Sequence, residues 1–361
     1  MKTVHLYIFG IGNVGSTLIE QVLAASSFFK EKHQLDLRIV GIVNSSRVLC
    51  NASGISKEWK TDFAHFSTPR QPDSFYNFAL LHDEVRIAVD ATASKELSTF
   101  YPELVQKGFH IVTANKIANT LSQDFYDHLR RELHVNNLSF EYETNVGAGL
   151  PIVATVKDLT NSGEHIAVIN GVFSGSLGYI FNRFSQEETP ISSIIKDALT
   201  QGYTEPDPRE DLSGNDVARK LLVLARETGL KLEFEDISIE NLVTPELQEL
   251  DLKDFLNNLS NLDASFDKLK HSLLEDEVLR HVGSLNTQTK QLTVSLQKVK
   301  KDSPAGQLSG SDGFFEVYSS SYKTHPLVIK GAGAGREVTA RGLLSDIIKV
   351  ANRAETFVYS R

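Results

Sequence analysis

A single cysteine, Cys50, in 361 residues excludes an intrachain disulfide and any cysteine-built zinc cluster. Long apolar runs are missing too, and none approaches the ~18 residues of a membrane span. The apolar start of MKTVHLYIFG is short, contains His5 and leads directly into glycines, so it is not a secretory signal. Basic runs are also absent, and the formal net charge is −9. Nucleic acid and anionic membrane, both held mainly by basic patches, are therefore poor partners. The eleven histidines are scattered, with no H-x-x-x-H pair, so no transition-metal site is expected. With 41% apolar and 23% charged residues, the sequence describes a soluble globular protein long enough for two domains, and the cysteine usage fits the cytoplasm.

TVHLYIFG (Thr3–Gly10) is nearly continuous apolar sequence, the pattern of a strand buried on both faces of a parallel sheet. GIGNVG follows, with glycines at Gly10, Gly12 and Gly15, and then Val14, Leu18, Val22 and Ala25 recur at helical spacing. Strand, glycine loop and helix in this order point to a dinucleotide site over Gly10, Gly12, Asn13, Val14 and Gly15. Gly10 permits the tight turn, Gly12 the approach of a pyrophosphate, and Gly15 close helix–strand packing. A glycine-rich turn without a ligand is the competing reading.

The second strand, LRIVGIVNSSR, ends at Asn44, where an NAD site usually carries an acid for the ribose 2′-hydroxyl. Asn44, Ser45, Ser46 and Arg47 stand there instead, favouring NADP over NAD, with Arg47 on the 2′-phosphate or simply facing solvent. Further strands read at VRIAVDAT, FHIVTANK and LSFEYET (Leu138–Thr144), separated mostly by helical stretches. This is a doubly wound α/β domain, whose ligands sit beyond the carboxyl ends of the strands. Thr92 and Lys116 end two of those strands.

From Pro151 the pattern changes. HIAVINGVFSG reads as a strand, SLGYIFNRF, PISSIIKDALTQG and DVARKLLVLARETG as helices, and VLRHVGSL and KQLTVSLQKV as paired strands. GYTEPDPREDLSGNDVARK (Gly202–Lys220) holds five carboxylates and then a lysine. Asp216 and Lys220, spaced i, i+4, share a helix face beside the apolar stripe that starts at Val217. Read blandly, Ser213–Asp216 is a capping box and Asp216–Lys220 a routine helix ion pair.

ETNVGAGLP, TANKIAN, SGSLGYIF, the acidic stretch and PLVIKGAGAGREVTARG come in one order along the chain. With these motifs the sequence resembles homoserine dehydrogenase from end to end. It is most similar to the dehydrogenase half of bifunctional aspartate kinase–homoserine dehydrogenases. The resemblance implies a Rossmann-type α/β nucleotide domain over residues 1–150, completed by 331–361. It also implies an α+β catalytic and dimerisation domain over 151–330, and a homodimer. The activity implied is NAD(P)-dependent interconversion of L-homoserine and L-aspartate 4-semialdehyde, within threonine and methionine biosynthesis. Glu205 and Asp216 would contact substrate, Lys220 would donate the proton in aldehyde reduction, Lys116 would sit beside it, and Asp211 would support the acidic set. Asp207 and Glu210 are left to solvent. Gly335 would return to the cofactor. A monovalent cation, usually Na⁺, would be held by backbone carbonyls at Glu143, Val146, Ala148 and Leu150. The sequence opens directly on the first strand and stops soon after the last helix, so no kinase domain and no regulatory domain are expected, and the sequence leaves threonine sensitivity open. Two other readings are an amino-acid dehydrogenase acting on the amine and a non-catalytic NADP-binding regulator.

Overall fold

A computed structural model of the chain describes residues 1–70 and 85–354. The last seven residues of the segment expected to complete the nucleotide domain, 355–361, lie outside the described residues. The chain forms two compact units, one made of Met1–Gly149 with the chain from Gly335 onward, the other of Leu150–Ala334. Among the described residues no helix is long and apolar enough to cross a membrane.

In the first unit the strands are β1 (Lys2–Phe9), β2 (Leu35–Val43), β3 (Arg47–Cys50), β4 (Thr68–Pro69), β5 (Val85–Asp90), β6 (Phe109–Thr113) and β7 (Phe140–Glu141). They lie in the order β4-β3-β2-β1-β5-β6-β7. β1 pairs in parallel with β2 and β5, and β5–β6–β7 continue in parallel, while β3 and β4 fold back antiparallel at one edge. Val4, Leu6 and Ile8 of β1 are fully buried, as the unbroken apolar run predicts. The Asn13–Ala24 helix buries Leu18, Ile19 and Val22 in the same core as Leu343, Leu344 and Ile347 of the Arg336–Arg353 helix. Each such aliphatic side chain contributes roughly 1.5–3 kcal/mol by burial, so the C-terminal helix is integral to this unit.

The strand expected over Leu138–Thr144 is shorter than its pattern suggests, because Glu143–Asn145 closes into a 3-10 turn. The reason lies two hundred residues away. The Asp346 carboxylate, fully buried on the C-terminal helix, accepts a hydrogen bond from Glu143 N at 2.9 Å and so draws the backbone off the ladder.

The second unit carries β8 (Ile166–Val172), β9 (Ile237–Ile239), β10 (Glu277–Asn286), β11 (Gln291–Lys300), β12 (Asp312–Ser319) and β13 (Leu327–Ala332), in the order β13-β12-β8-β10-β11-β9. All pairings are antiparallel except β9 with β11. The Gly175–Gln186 and Ile191–Thr200 helices share a core through Leu177, Phe181, Ile194 and Ile195. The Asn215–Glu227 helix buries Val217, Leu221 and Leu224 and packs on β10 and β11. Its start differs from the capping box in the sequence reading. Gly214, at φ +73°, is the N-cap, and the Ser213 hydroxyl donates to Glu210 O instead. Gly214 supplies a left-handed turn that serine would adopt only with strain.

Candidate active site

The glycine loop of the first unit is shaped by contacts that admit no side chain. A Cβ on Gly15 would lie 1.9 Å from Gly10 O, and one on Gly10 (φ +91°) 2.8 Å from Ala91 O. At Gly12 a Cβ would meet nothing within 4 Å; that glycine keeps space open where the backbone faces a cavity of about 490 Å³. Gly10, Gly12, Asn44, Ser45, Arg70 and Thr92 are among its lining. No side chain caps the Asn13–Ala24 helix, so the first N–H groups, from Asn13 and Val14 onward, remain for an anion. This donor set fits the pyrophosphate of a dinucleotide. Gly335 (φ +121°) caps the C-terminal helix, and its neighbour Arg336 lines a second cleft with Gly12 and Asn13.

Of the two readings open for Arg47, a phosphate partner or a residue facing solvent, the structure shows an exposed residue whose guanidinium is bound within the protein. Its Nε donates to Ser67 Oγ at 2.7 Å and its Nη2 to the Ser67 carbonyl, which ties the guanidinium across the β3–β4 ribbon. The arginine on the cavity is Arg70. β4 pairs antiparallel with β3, and Arg70 N donates to Ser46 O at 2.8 Å, so a residue far along the chain arrives beside Asn44 and Ser45. Sequence reasoning missed it because that pairing is non-local. Asn44 Oδ1 accepts from Ser46 N and Arg47 N at 2.9 and 2.7 Å, so its side chain shapes the turn.

Thr92 and Lys116 stand just beyond β5 and β6. Thr92 N donates to Asp90 Oδ1 at 2.8 Å, and Lys116 caps the short Ile117–Asn119 turn. In the Glu143–Leu150 stretch, Ala148 takes a left-handed φ of +53°, which turns successive carbonyls in different directions. Leu150 opens the second unit.

In the second unit the charged residues gather round the turn Phe173–Ser176. Lys220 Nζ lies 3.0 Å from Asp216 Oδ2 and donates to Phe173 O at 3.0 Å. The lysine side chain is only 16% exposed, so its stem packs while its ammonium is held at the turn. Asp211 Oδ1 accepts from Ser176 Oγ at 2.6 Å and its Oδ2 from Glu205 N at 2.9 Å. Both of its oxygens are thus engaged within the protein. Burial pushes the Asp211 carboxyl upward; Ser176 and the Glu205 amide pull it back, and nearby Asp216 pushes it up again. Glu205 itself is exposed. Asp207 is not left to solvent as the sequence suggested. It pairs with Arg209 at 2.6 Å, which holds its carboxyl below the usual range. Glu205 comes from the loop before the Arg209–Leu212 helix, and Asp216 and Lys220 from neighbouring turns of the Asn215–Glu227 helix, with Asp211 as the strut between Glu205 and the Gly175–Gln186 helix.

Comparisons with known proteins decide the family. The family model described as "Homoserine dehydrogenase" matches residues 151–348, and "Homoserine dehydrogenase, NAD binding domain" matches residues 10–143. The chain belongs to the homoserine dehydrogenase family. It is 38% identical over 354 residues to bifunctional aspartokinase/homoserine dehydrogenase 1, chloroplastic, of Arabidopsis thaliana, covering 97% of this chain and 39% of that protein. It is 37% identical over 359 residues to the bifunctional aspartokinase/homoserine dehydrogenase of Buchnera aphidicola, covering 96% and 43% respectively. The chain thus spans about two fifths of the length of these curated relatives. A Candida auris protein of unknown function shares 33% identity and a TM-score of 0.91, with 98% of this chain and 99% of that chain covered. A hyperthermophilic archaeal homoserine dehydrogenase in complex with NADPH shares the fold at a TM-score of 0.75 and 22% identity, with 98% and 99% covered.

Proposed function

We propose that the chain interconverts L-homoserine and L-aspartate 4-semialdehyde with NADP as the preferred nicotinamide cofactor. The observation that carries the reading is the Lys220 ammonium held between Asp216 and the Phe173 carbonyl, beside the Glu205–Asp211 pair. A substrate with an ammonium and a terminal oxygen finds a counterpart for both there. Glu205 and Asp216 hold the substrate ammonium and polar end through charge-assisted hydrogen bonds. Lys220 Nζ gives a proton to the aldehyde oxygen in reduction and takes one from the alcohol in oxidation. Bound at the glycine loop, a nicotinamide dinucleotide supplies or accepts the hydride. Lys116, just past β6, keeps a positive charge at the ligand edge of the nucleotide unit. Arg70 pairs with the 2′-phosphate, the role the sequence pattern suggested for Arg47, because Arg70 lines the cavity and Arg47 is bound to Ser67.

A monovalent cation belongs to the same reading. The carbonyls of Glu143, Val146 and Ala148 suit a hard, weakly charged ion such as Na⁺. Unfolding temperature in NaCl against LiCl reads this directly; identical values would remove the ion. The active species is a homodimer, which light scattering checks.

Nicotinamide absorbance tests the whole reading. Homoserine should drive NADP reduction without release of ammonia, and faster than NAD reduction. A reaction that releases ammonia would point to an amine-oxidising dehydrogenase, and no reaction at all to a binding protein.

A further inference from the structure

The ligand edge of the first unit holds a buried hydrogen-bond hub that the proposed chemistry leaves without a role. Asp90, the last residue of β5, is 2% exposed. Its Oδ1 accepts from Thr92 N at 2.8 Å. Its Oδ2 accepts from the Tyr101 hydroxyl at 2.7 Å and from Asn115 Nδ2 at 3.2 Å. Asn115 extends the hub in two directions. Its Nδ2 also donates to Ser94 O at 3.0 Å, and its Oδ1 accepts from Ile117 N at 3.1 Å. Thr113 Oγ1 lies 2.9 Å from the Tyr101 hydroxyl and accepts from Asn115 N at 2.8 Å.

One carboxylate thereby fixes two loops. The first runs from Thr92 to Ser94, and the second from Asn115 to Ile117 with Lys116 in its middle. These hydrogen-bond partners are all neutral groups. Burial pushes the Asp90 carboxyl upward, while Tyr101, Thr92 and Asn115 draw it back. A buried carboxylate without a cation is a poor device for stability alone. It makes sense where acceptor geometry matters: two oxygens that only accept can take Thr92 N on one side and two donors on the other. Tyr101 supplies the stiffness. It is 1% exposed and its ring packs edge-on against Phe140 at 5.8 Å.

We propose that Asp90, braced by Tyr101, is a positioning residue that sets the Thr92 and Lys116 loops against the reactive end of the bound dinucleotide. The proposal rests on the dehydrogenase reading. Thr92 lines the same cavity as Gly10 and Gly12, so a slack loop shifts a wall of the cofactor site without removing any group that binds phosphate. Small misplacements of this kind reach the rate more than the affinity.

Tyr101→Phe deletes one hydroxyl and keeps the ring. Asp90→Asn replaces one of the two acceptors with a donor that meets a donor on whichever side it faces, Thr92 N or Tyr101 with Asn115. NADPH affinity by fluorescence, kcat for semialdehyde reduction, and the isotope effect on kcat with NADPH deuterated at the transferred position are measured for both. The clamp predicts NADPH affinity within about threefold of wild type, kcat lower by about tenfold or more, and a larger isotope effect as hydride transfer becomes limiting. Asp90→Asn should show the larger change. Wild-type kcat and isotope effect in both variants, with only the unfolding temperature reduced, would overturn the clamp and leave the hub a structural knot. A wild-type chain that binds NADPH and never turns over would overturn the dehydrogenase reading and the clamp with it.

Discussion

Where the first unit prepares for a ligand at Gly10, Gly12 and Gly15, it offers backbone and empty space. Where the second gathers charge between Phe173 and Lys220, it offers side chains already bonded to one another. The backbone site is preformed because a side chain at Gly10 or Gly15 would clash, and its charge is confined to the rim, where Arg70 stands. The side-chain site stores charge in an internal network, and in the proposed reaction a substrate would replace or join those contacts. Damage to the first should therefore be read as lost cofactor affinity, and damage to the second as lost chemistry or lost substrate affinity.

The sharpest break comes at Lys220. Lys220→Met keeps the packed stem and removes the ammonium, so turnover should fall by about 10²–10⁴-fold in both directions. NADPH affinity should stay near wild type. A variant that keeps more than about a third of wild-type kcat, with chemistry limiting, would pass the proton to another group, Lys116 first. Next in size is Arg70. Loss of a charge-assisted contact to phosphate is worth about 1.5–3 kcal/mol, so Arg70→Ala should raise the KM for NADPH by tenfold or more and leave that for NADH nearly unchanged. Arg47→Ala, whose side chain is spent on Ser67, should change the two cofactors alike. The reverse pattern would restore Arg47 to the phosphate. Glu205→Gln should raise the KM for homoserine by about tenfold with a smaller change in kcat; a wild-type KM would return Glu205 to the solvated surface.

Acid stability gives the smallest contrast and the one in which both units behave alike. His110 in the first unit and His281 in the second are both pushed down to about 4, chiefly by burial. For His110 the charges of Lys2 and Arg86 add to the effect. Above the ordinary histidine value near 6.5 neither group affects stability. As pH falls from there towards about 4, the unfolded chain takes up protons that the folded chain refuses. Each histidine should then remove up to about 3 kcal/mol. Thermal unfolding at pH 7 and pH 5 reads the loss, and His281→Phe should shrink it. An unchanged acid response in that variant would mean that His281 is protonated in the fold.

The same contrast explains how much could be read from the sequence. The glycine loop, β1 and the Asp216–Lys220 spacing are local patterns, and each is visible within a dozen residues. Arg70 was hidden because it reaches the cavity through the β3–β4 pairing, which no local pattern announces. The early end of the Leu138–Thr144 strand was hidden for a similar reason, since Asp346 does the bending from the far end of the chain. At Ser213 a local rule misled. The serine fits a capping box, but its neighbour Gly214 reaches a conformation that serine enters only with strain, so glycine takes the cap. The Asp90 hub was invisible for a subtler reason. Asp90, Tyr101 and Asn115 are spread over twenty-five residues and converge only because β5 and β6 lie side by side.

The central step of the proposed reaction is hydride reaching the terminal carbon of the substrate. The direct measurement is the mass of the homoserine formed from L-aspartate 4-semialdehyde and NADPH carrying deuterium at the transferred position. Homoserine one mass unit heavier, formed by the wild-type chain and reduced by at least two decades in rate in Lys220→Met, is the predicted result. Unlabelled homoserine, or none at all from a chain that binds NADPH, would contradict it.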